Sequence, residues 1–283
     1  MVSADDGRRD PQLSSPNGGD QSREASRQSD PTQRFSDRAE HYTRYRPGYP
    51  PAVLDVLRTE TGLSPRSVVA DIGSGTGISS DLFLRNGNFV WAVEPNAAMR
   101  SAAERSLATN QRFRSIEGTA ENTTLASESV DYVVAGQAFH WFDAPSARRE
   151  FARILRPDGW VALLWNDRRE DSTAFLREYE SLLRRFGTDY LAVRHRNLEA
   201  SSLVDFFTGH GMLTWKLYNE QRLDLEGLKG RLLSSSYVPS EADPAHSTML
   251  AEVERIFLNY EQSGTVSLQY DTKIFLGRLQ TTL

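Results

Sequence analysis

The stretch that decides the fold is Ser67-Val-Val-Ala-Asp-Ile-Gly-Ser-Gly-Thr-Gly-Ile-Ser-Ser80. It opens with the apolar run 68–70, which is typical of a strand buried on both faces of a sheet. A loop with three glycines follows, and apolar residues then recur at helical spacing until Asn86-Gly87. Glycine lets the backbone turn sharply and approach a ligand closely. The stretch therefore predicts the first strand, loop and helix of a nucleotide-binding α/β unit.

The spacing of the glycines discriminates between classes of ligand. A dinucleotide fingerprint reads G-x-G-x-x-G, and counted from Gly73 its third glycine would stand at position 78, which is Ile78. A phosphate-binding loop needs a lysine after its glycines, and this loop has none. The chain has instead an acid, Asp71, followed by G-x-G-x-G. A nucleotide-dependent oxidoreductase is thus disfavoured.

The segment Val69-Ala-Asp-Ile-Gly-Ser-Gly-Thr-Gly77 resembles the first motif of the class I S-adenosylmethionine (SAM) methyltransferases. The resemblance implies SAM as cofactor and an α/β fold: a Rossmann-like, seven-stranded, mostly parallel sheet with helices on both faces. It also implies an antiparallel last strand and helical insertions in the C-terminal part. Asp71 would hold the cationic methionine amino group of SAM. The loop residues around the cofactor would be Gly73, Ser74, Gly75 and Gly77.

The second strand, Phe89-Val-Trp-Ala-Val-Glu94, ends in an acid about 20 residues beyond the loop, where a carboxylate suits ribose hydroxyls. A carboxylate can accept hydrogen bonds from two vicinal hydroxyls, so Glu94, with Pro95, is a candidate for ribose binding. The alternative is a solvated acid at a strand end. Asn96 is expected to cap the helix Ala97–Leu107. Met99 either contacts adenine or belongs to the core.

The third predicted strand, Phe113–Ile116, leads into the turn 118–121, which the resembling family uses around the adenine ring. Ala120 and Glu121 are therefore cofactor candidates. Glu121 would accept a hydrogen bond from the exocyclic amine of adenine, or it caps the next turn of the chain.

The fourth predicted strand, Val130–Ala135, delivers Gly136-Gln-Ala-Phe-His-Trp-Phe142. Ligands of open α/β sheets bind outside the carboxyl ends of the strands, so Gln137, His140 and Trp141 should face the cofactor. The segment lacks the Asn/Asp-Pro-Pro-Tyr motif of enzymes that methylate nucleic-acid amines. Its His-Trp pair resembles the small-molecule methyltransferases of the type 11 group, of which the trans-aconitate-type carboxyl methyltransferases and natural-product methyltransferases look nearest.

His140 admits two interpretations. The ordinary pKa of histidine lies near neutrality, so His140 is a candidate general base for a protonated acceptor. A histidine that lines the adenine pocket or is hydrogen-bonded for structural reasons would look the same in the sequence.

Composition excludes several other kinds of protein. The 283 residues contain no cysteine, which rules out disulfides, cysteine-based zinc sites and a cysteine nucleophile. We predict no metal site. No apolar run approaches the length of a membrane span, and the formal net charge of −5 disfavours a broad nucleic-acid footprint. We expect a cytoplasmic monomer or homodimer without nucleic-acid or membrane partners.

The expected organisation is a disordered tail at 1–33 and one methyltransferase domain at 34–283. Within it we distinguish a lid and helix at 34–62, a SAM-binding core at 63–166, and acceptor-side helices and last strands at 167–283. Segment 35–49 is dense in aromatic residues and either folds over the SAM site or packs as an ordinary N-terminal helix. The candidate acceptor contacts are Tyr42, Arg46, Trp165, Arg168, Arg194, Tyr237 and Tyr270.

Beyond the fourth strand the pattern predicts a turn at Arg156-Pro-Asp-Gly159 and a central apolar strand at Trp160–Trp165. The remaining predicted helices are Asp143–Leu155, Ser172–Phe186, Ser201–Gly209, Leu223–Ser235 and Glu241–Ser263. The remaining predicted strands are Met212–Tyr218 and Thr272–Leu279.

The leading interpretation is a SAM-dependent methyltransferase that acts on a small molecule at O, N or C, with a carboxylate among the possible acceptors. The alternative is a non-catalytic SAM-binding module with a regulatory or partner-binding role on the same fold, because fold does not imply function.

Overall fold

The computed structural model describes residues 43–188, 190, 200–207 and 211–279. The predicted tail at 1–33, Tyr42 and Arg194 lie outside these residues. The strands are β1 Val68–Ile72, β2 Phe89–Val93, β3 Phe113–Ile116, β4 Val130–Gly136, β5 Leu155–Arg168, β6 Leu213–Leu223 and β7 Val266–Gly277. The helices are α1 Ala52–Thr61, α2 Ile78–Arg85, α3 Ala97–Leu107, α4 Ala144–Ile154, α5 Ala174–Phe186, α6 Ala200–Phe206, α7 Leu225–Leu233 and α8 Ala245–Tyr260.

The seven strands form one sheet in the order β3-β2-β1-β4-β5-β7-β6. Strands β1 to β5 run parallel to one another, and β7 runs antiparallel to both β5 and β6. Helices α5 and α6 are inserted before β6, and α7 and α8 before β7. The predicted fold class is confirmed. The strand order reverses between β1 and β4, the point at which open α/β sheets bind their ligands.

Alternation along β1 assigns its side chains to two separate cores. Val69 faces the core that contains Phe83 of α2, whereas Ala70 and Ile72 face the core that contains Phe151 of α4. Both phenylalanines are fully buried, and each such side chain contributes roughly 1.5–3 kcal/mol. Since successive strand residues point to opposite faces, Asp71 shares the α2 side of the sheet with Val69.

Strand β5 begins earlier than the sequence predicts. The predicted turn 156–159 lies inside it as an irregularity, because Val130 pairs with Leu155 while Tyr132 pairs with Trp160. Asp158 has a φ of 66°, which marks the bend in this stretch. The strand also continues past Trp165 to Arg168, because β7 pairs with it over the whole range 161–168. Local composition predicts only the apolar centre of this strand. Pairing with β4 and β7, which are distant in the sequence, extends it at both ends.

Segment 43–49 packs on the acceptor-side part of the domain. The Tyr45 hydroxyl donates to Glu226 at 3.1 Å, and Gln221 Nε2 donates to the Tyr45 carbonyl at 2.8 Å. The ring of Tyr45 lies against Gly230, where an added Cβ would come within 2.2 Å of it.

Of the helices within the described ranges, none has an apolar stretch of the length that a bilayer crossing requires.

Candidate cofactor and acceptor site

A cavity of about 400 Å³ opens at the carboxyl ends of the strands, along the strand order from β3 to β7. Its cofactor-side wall comes from the glycine loop, the end of β2 and the turn 119–121. His140, Trp141 and Trp165 form the middle, and Arg168, Arg231, Tyr237 and Tyr270 line the far end.

The backbone of the glycine loop is fixed by the end of β2. The amides of Gly73 and Ser74 both donate to the Val93 carbonyl, at 2.9 and 3.1 Å. Gly73, Gly75 and Gly77 have φ values of 66°, 56° and 86°, in the left-handed region that glycine occupies without strain. Gly73, Ser74 and Gly75 line the cavity. Gly77 does not. It packs on α3, where an added Cβ would lie 2.7 Å from Leu107.

Glu94 is the residue that joins the loop to the second strand. Its Oε2 accepts from the Gly75 amide at 2.9 Å, and its Oε1 accepts from the Asn96 amide at 2.8 Å. Glu94 is buried, and this burial raises the pKa of its carboxyl, against the opposing effect of the two amides. The carboxylate still lines the cavity and retains lone pairs for further donors. Pro95 lines the cavity beside it.

Asp71 lies beneath the loop and does not line the cavity. A direct contact with the methionine group of SAM would require Asp71 to stand in the cavity wall. Its Oδ2 accepts from the hydroxyls of Ser79 and Ser80 on α2, at 2.7 and 2.6 Å. Complete burial raises the pKa of this carboxyl to about 6, although both hydroxyls favour the charged form. Asp71 Oδ1 and Thr76 Oγ1 are buried without a hydrogen-bond partner among the residues that the structure describes.

The remaining cofactor candidates, Met99, Ala120, Glu121, Gln137 and Trp141, all line the cavity. Asn96 caps α3 as predicted, because its Oδ1 accepts from the Met99 amide at 3.0 Å. Glu121 Oε1 accepts from the Asp143 amide at 2.9 Å, at the start of α4. The Gln137 side chain is engaged with the backbone of Asn166 in both directions, at 2.9 and 3.3 Å. Glu121 and Gln137 therefore have structural contacts in addition to their place on the wall.

His140 lies in a single 3₁₀ turn, 139–141, between two tryptophan rings. The ring centroids of His140 and Trp141 are 4.6 Å apart, and those of His140 and Trp165 are 5.1 Å apart. Trp165 is buried at the end of β5. The imidazole thus stands in the aromatic middle of the cavity, between its two ends.

Of the candidate acceptor contacts, the described ones reach the far end of the cavity. Arg46, Arg168, Tyr237 and Tyr270 line it with Trp165. Arg168 is held by Glu180 at 2.6 Å and by the Tyr190 hydroxyl at 3.1 Å, so its charge is neutralised. Sequence reasoning missed Arg231 of α7, which also lines the cavity. In the sequence its one distinguishing feature is its position three residues after Leu228, on the apolar face of a predicted helix, which is unusual for a charged residue.

Comparison with known proteins places these residues in a family. Residues 70–163, from the middle of β1 to the middle of β5, match the family model described as methyltransferase domain. This chain therefore contains a methyltransferase domain. The predicted resemblance to the SAM-dependent methyltransferases is confirmed over these residues, and S-adenosylmethionine is the cofactor that such domains use.

Relatives of this methyltransferase domain are themselves little characterised. An uncharacterized methyltransferase of Mycobacterium tuberculosis is 36% identical over 146 residues, which are 52% of this chain and 57% of that protein. The chain thus aligns with little more than half the length of this relative. An uncharacterized methyltransferase-like protein of Schizosaccharomyces pombe is 25% identical over 244 residues, covering 83% of this chain and 91% of its own. Neither relative distinguishes the trans-aconitate type.

A solved structure shares the fold of the methyltransferase domain and its C-terminal additions. It belongs to a protein of Anaeromyxobacter dehalogenans assigned as a type II methyltransferase. The TM-score is 0.63 at 24% sequence identity, and the match covers 83% of this chain and 98% of that one. At this identity the likeness concerns the fold alone.

The buried Asp71 leads to a prediction about stability. Between the ordinary value of 3.8 and a folded-state pKa of about 6, the folded protein keeps a proton that the unfolded chain releases. The free energy of unfolding therefore falls as the pH rises through this interval. Asp71→Asn removes the charge, so near pH 7 the variant should gain up to ~3 kcal/mol over wild type and the gain should shrink towards pH 4.

Urea unfolding at pH 4, 5, 6 and 7 measures this difference. Asp55→Asn is the matched control, because that carboxylate is exposed on α1 and pairs with Arg58. An Asp71→Asn variant that loses stability at pH 7 would contradict the buried-charge account.

Proposed function

We propose that this protein is an enzyme that transfers the methyl group of SAM to a small-molecule acceptor, at oxygen, nitrogen or carbon. The observation that carries the proposal is one cavity that joins a cofactor-side wall to an aromatic and cationic far end. A module that only bound SAM would have no use for the second compartment. The domain boundaries 34–62, 63–166 and 167–283 are proposed on the same basis.

The residues present fit the cofactor. Gly75 lines the cavity, and apart from its two chain neighbours no atom of the described residues lies within 4 Å of the position that a Cβ would take there, so a ligand can approach its backbone closely. The unpartnered Asp71 Oδ1 and Thr76 Oγ1 provide a buried negative charge and a hydroxyl at the loop. Asp71 would then favour a cationic group from beneath the loop. The proposed ribose ligand is the Glu94 carboxylate.

Other wall residues supply shape. Met99, Ala120 and Pro95 present apolar surface at the β2–β3 end of the cavity, which suits a flat purine. Glu121 completes the wall there, Trp141 belongs to the middle of the cavity, and Gln137 fixes the end of β4 against β5. The residues proposed for the acceptor are Arg46, Trp165, Arg168 and Tyr237.

When bound, SAM supplies a methyl group on a sulfonium, a good leaving group. The task left for the protein is to align the acceptor with that methyl group, and proximity and orientation contribute on the order of 7–11 kcal/mol to such reactions. His140, Trp141 and Trp165 line the cavity between its two ends, where the methyl group would be transferred. A general base is required only for an acceptor that arrives protonated.

The first test concerns Glu94. Glu94→Ala removes a charge-assisted hydrogen bond to the ribose, so its affinity for SAM should fall by roughly ten- to a hundredfold. Isothermal titration calorimetry measures the change, and circular dichroism checks the fold. Glu117→Ala is the control, because this carboxylate is exposed and bound to Arg100 at 3.0 Å. Equal SAM affinity in the folded Glu94→Ala variant and in the control would remove Glu94 from the site.

The second test separates the two roles of His140. We favour the wall role, because two tryptophan rings hold the imidazole. His140→Ala should then weaken SAM binding, and the remaining turnover should keep the pH dependence of wild type. If His140 is a general base, kcat of the His140→Ala variant should instead fall by about 10²–10⁴ with SAM affinity intact. The pH–rate profile of the variant should then lose one limb.

Both quantities are measured with labelled SAM and an acceptor found by screening metabolite extracts. His246→Ala is the matched control, because His246 lies on α8 and bonds to the Pro239 carbonyl, away from the cavity. A lost pH limb at full SAM affinity would assign His140 as the base.

A further inference from the structure

The far end of the cavity contains a buried arginine whose polar contacts are all neutral. Arg231 is 7% exposed. Its Nε donates to the Tyr270 hydroxyl at 3.4 Å, and its Nη1 donates to the hydroxyls of Ser234 and Ser235 at 3.4 and 3.2 Å. Charge-assisted hydrogen bonds are usually about 2.7–2.9 Å long. The three contacts of Arg231 are longer, so they hold the guanidinium loosely.

The other acidic groups near this end are already committed. Glu180 binds Arg168 at 2.6 Å and Arg184 at 2.8 Å. Asp167 pairs with Lys273 at 2.8 Å, and Glu170 lies 3.8 Å from Arg184. Within the described ranges no carboxylate forms an ion pair with Arg231. A guanidinium stays protonated in proteins, so its charge is buried without compensation, which is costly.

This arginine lines the cavity and keeps donors that its hydrogen bonds do not use. Nη2 of Arg231 makes no hydrogen bond to any residue that the structure describes, and Arg231 lines the cavity with Ser236, Tyr237 and Tyr270. Arg46 Nη2 donates to the Ser234 carbonyl at 2.9 Å, so a second guanidinium approaches the same turn. The far end therefore offers hydrogen-bond donors and positive charge to a ligand.

We propose that Arg231 is the anion-recognition residue of the acceptor compartment and that the acceptor carries a carboxylate which binds there. This inference rests on the proposed function. The planar guanidinium presents paired N–H groups that match the two oxygens of a carboxylate. Arg231 is a specificity-determining residue, and the carboxylate that it binds is an anchor for the acceptor, whichever atom receives the methyl group.

The charges favour a carboxylate over a phosphate. Arg231 contributes one uncompensated positive charge, which a singly charged group neutralises. Asp167 and Glu170 also line the cavity, and although each is close to a cation, a phosphate dianion would meet more repulsion from them than a monoanion would. The aromatic side chains of Trp165 and Tyr237 supply apolar contact for the rest of the acceptor.

The probes for the test are benzoate and benzamide, which have nearly the same shape and differ in charge. Calorimetric titration into protein saturated with S-adenosylhomocysteine should give benzoate an affinity about ten- to a hundredfold above that of benzamide. Arg231→Met should abolish this preference, and Arg231→Lys should retain part of it. Lys229→Met on the same helix is the control, because Lys229 pairs with Glu254 and lies off the cavity. It should leave the preference unchanged.

Stability gives an independent readout. Replacing a buried, uncompensated charge by a long apolar side chain should leave the melting temperature of Arg231→Met equal to or above that of wild type. A marked decrease would indicate a structural arginine and overturn the proposal. Benzoate binding no tighter than benzamide binding in wild type would overturn it without recourse to any variant, as would a preference that survives in Arg231→Met.

Phenyl phosphate binding as tightly as benzoate would overturn the choice of a carboxylate. The affinity of wild type for S-adenosylhomocysteine is measured in the same experiment. A folded wild-type protein that does not bind S-adenosylhomocysteine would contradict the proposed function. Binding of S-adenosylhomocysteine without a preference for benzoate would contradict the role of Arg231 alone.

Discussion

The hydrogen bond from the Gly75 amide to the Glu94 carboxylate is the contact on which the cofactor side depends. It joins the middle of the glycine loop to the end of the neighbouring strand. Parallel pairing of Ile72 with Val93 brings the ends of β1 and β2 level, so the loop leaves one strand beside the acid of the other. The Val93 carbonyl then accepts from two loop amides. Without this arrangement the backbone of the loop would have no fixed distance from the cavity.

The acceptor side is held by a different kind of contact. Asn166 at the end of β5 connects three separate parts of the chain: its Nδ2 donates to the Gly48 carbonyl, and its Oδ1 accepts from Thr272 and from Asn219. These bonds join segment 43–49 to strands β5, β6 and β7. The far wall is thus an assembly of distant segments, whereas the cofactor wall consists of strand ends and the loops that follow them directly. Changes in the C-terminal helices can therefore alter the far wall without disturbing the wall formed by the strand ends.

The local part of this arrangement was predictable from the sequence. The glycine loop, the acid at the end of β2 and the cap at Asn96 are short-range features, and their residue types carry the prediction. The direction of Asp71 was within reach of the same reasoning. Alternation along β1 puts Asp71 on the same face as Val69, which α2 covers, and its two serine partners stand at the start of that helix. The interaction of Asp71 with the amino group of SAM stays a prediction.

Other features depend on pairing and packing between distant residues, which one sequence does not encode locally. The early start of β5 follows from its register with β4, and its extension to Arg168 from its pairing with β7. Gln137 lines the cavity, as expected, but its side-chain amide is hydrogen-bonded to the backbone of Asn166, 29 residues away. Arg231 belongs to no motif. The charged residue on an apolar helix face has meaning only when the cavity beside it is known.

Calorimetric titration of the wild-type protein with SAM, with S-adenosylhomocysteine and with NAD tests the central claim most directly. The account predicts one binding site for SAM and for S-adenosylhomocysteine, with each excluding the other, and no binding of NAD. The loop has Ile78 where a dinucleotide fingerprint requires glycine, and Glu94 remains available for a ribose. Binding of NAD, or a failure of the folded protein to bind SAM, would contradict the account.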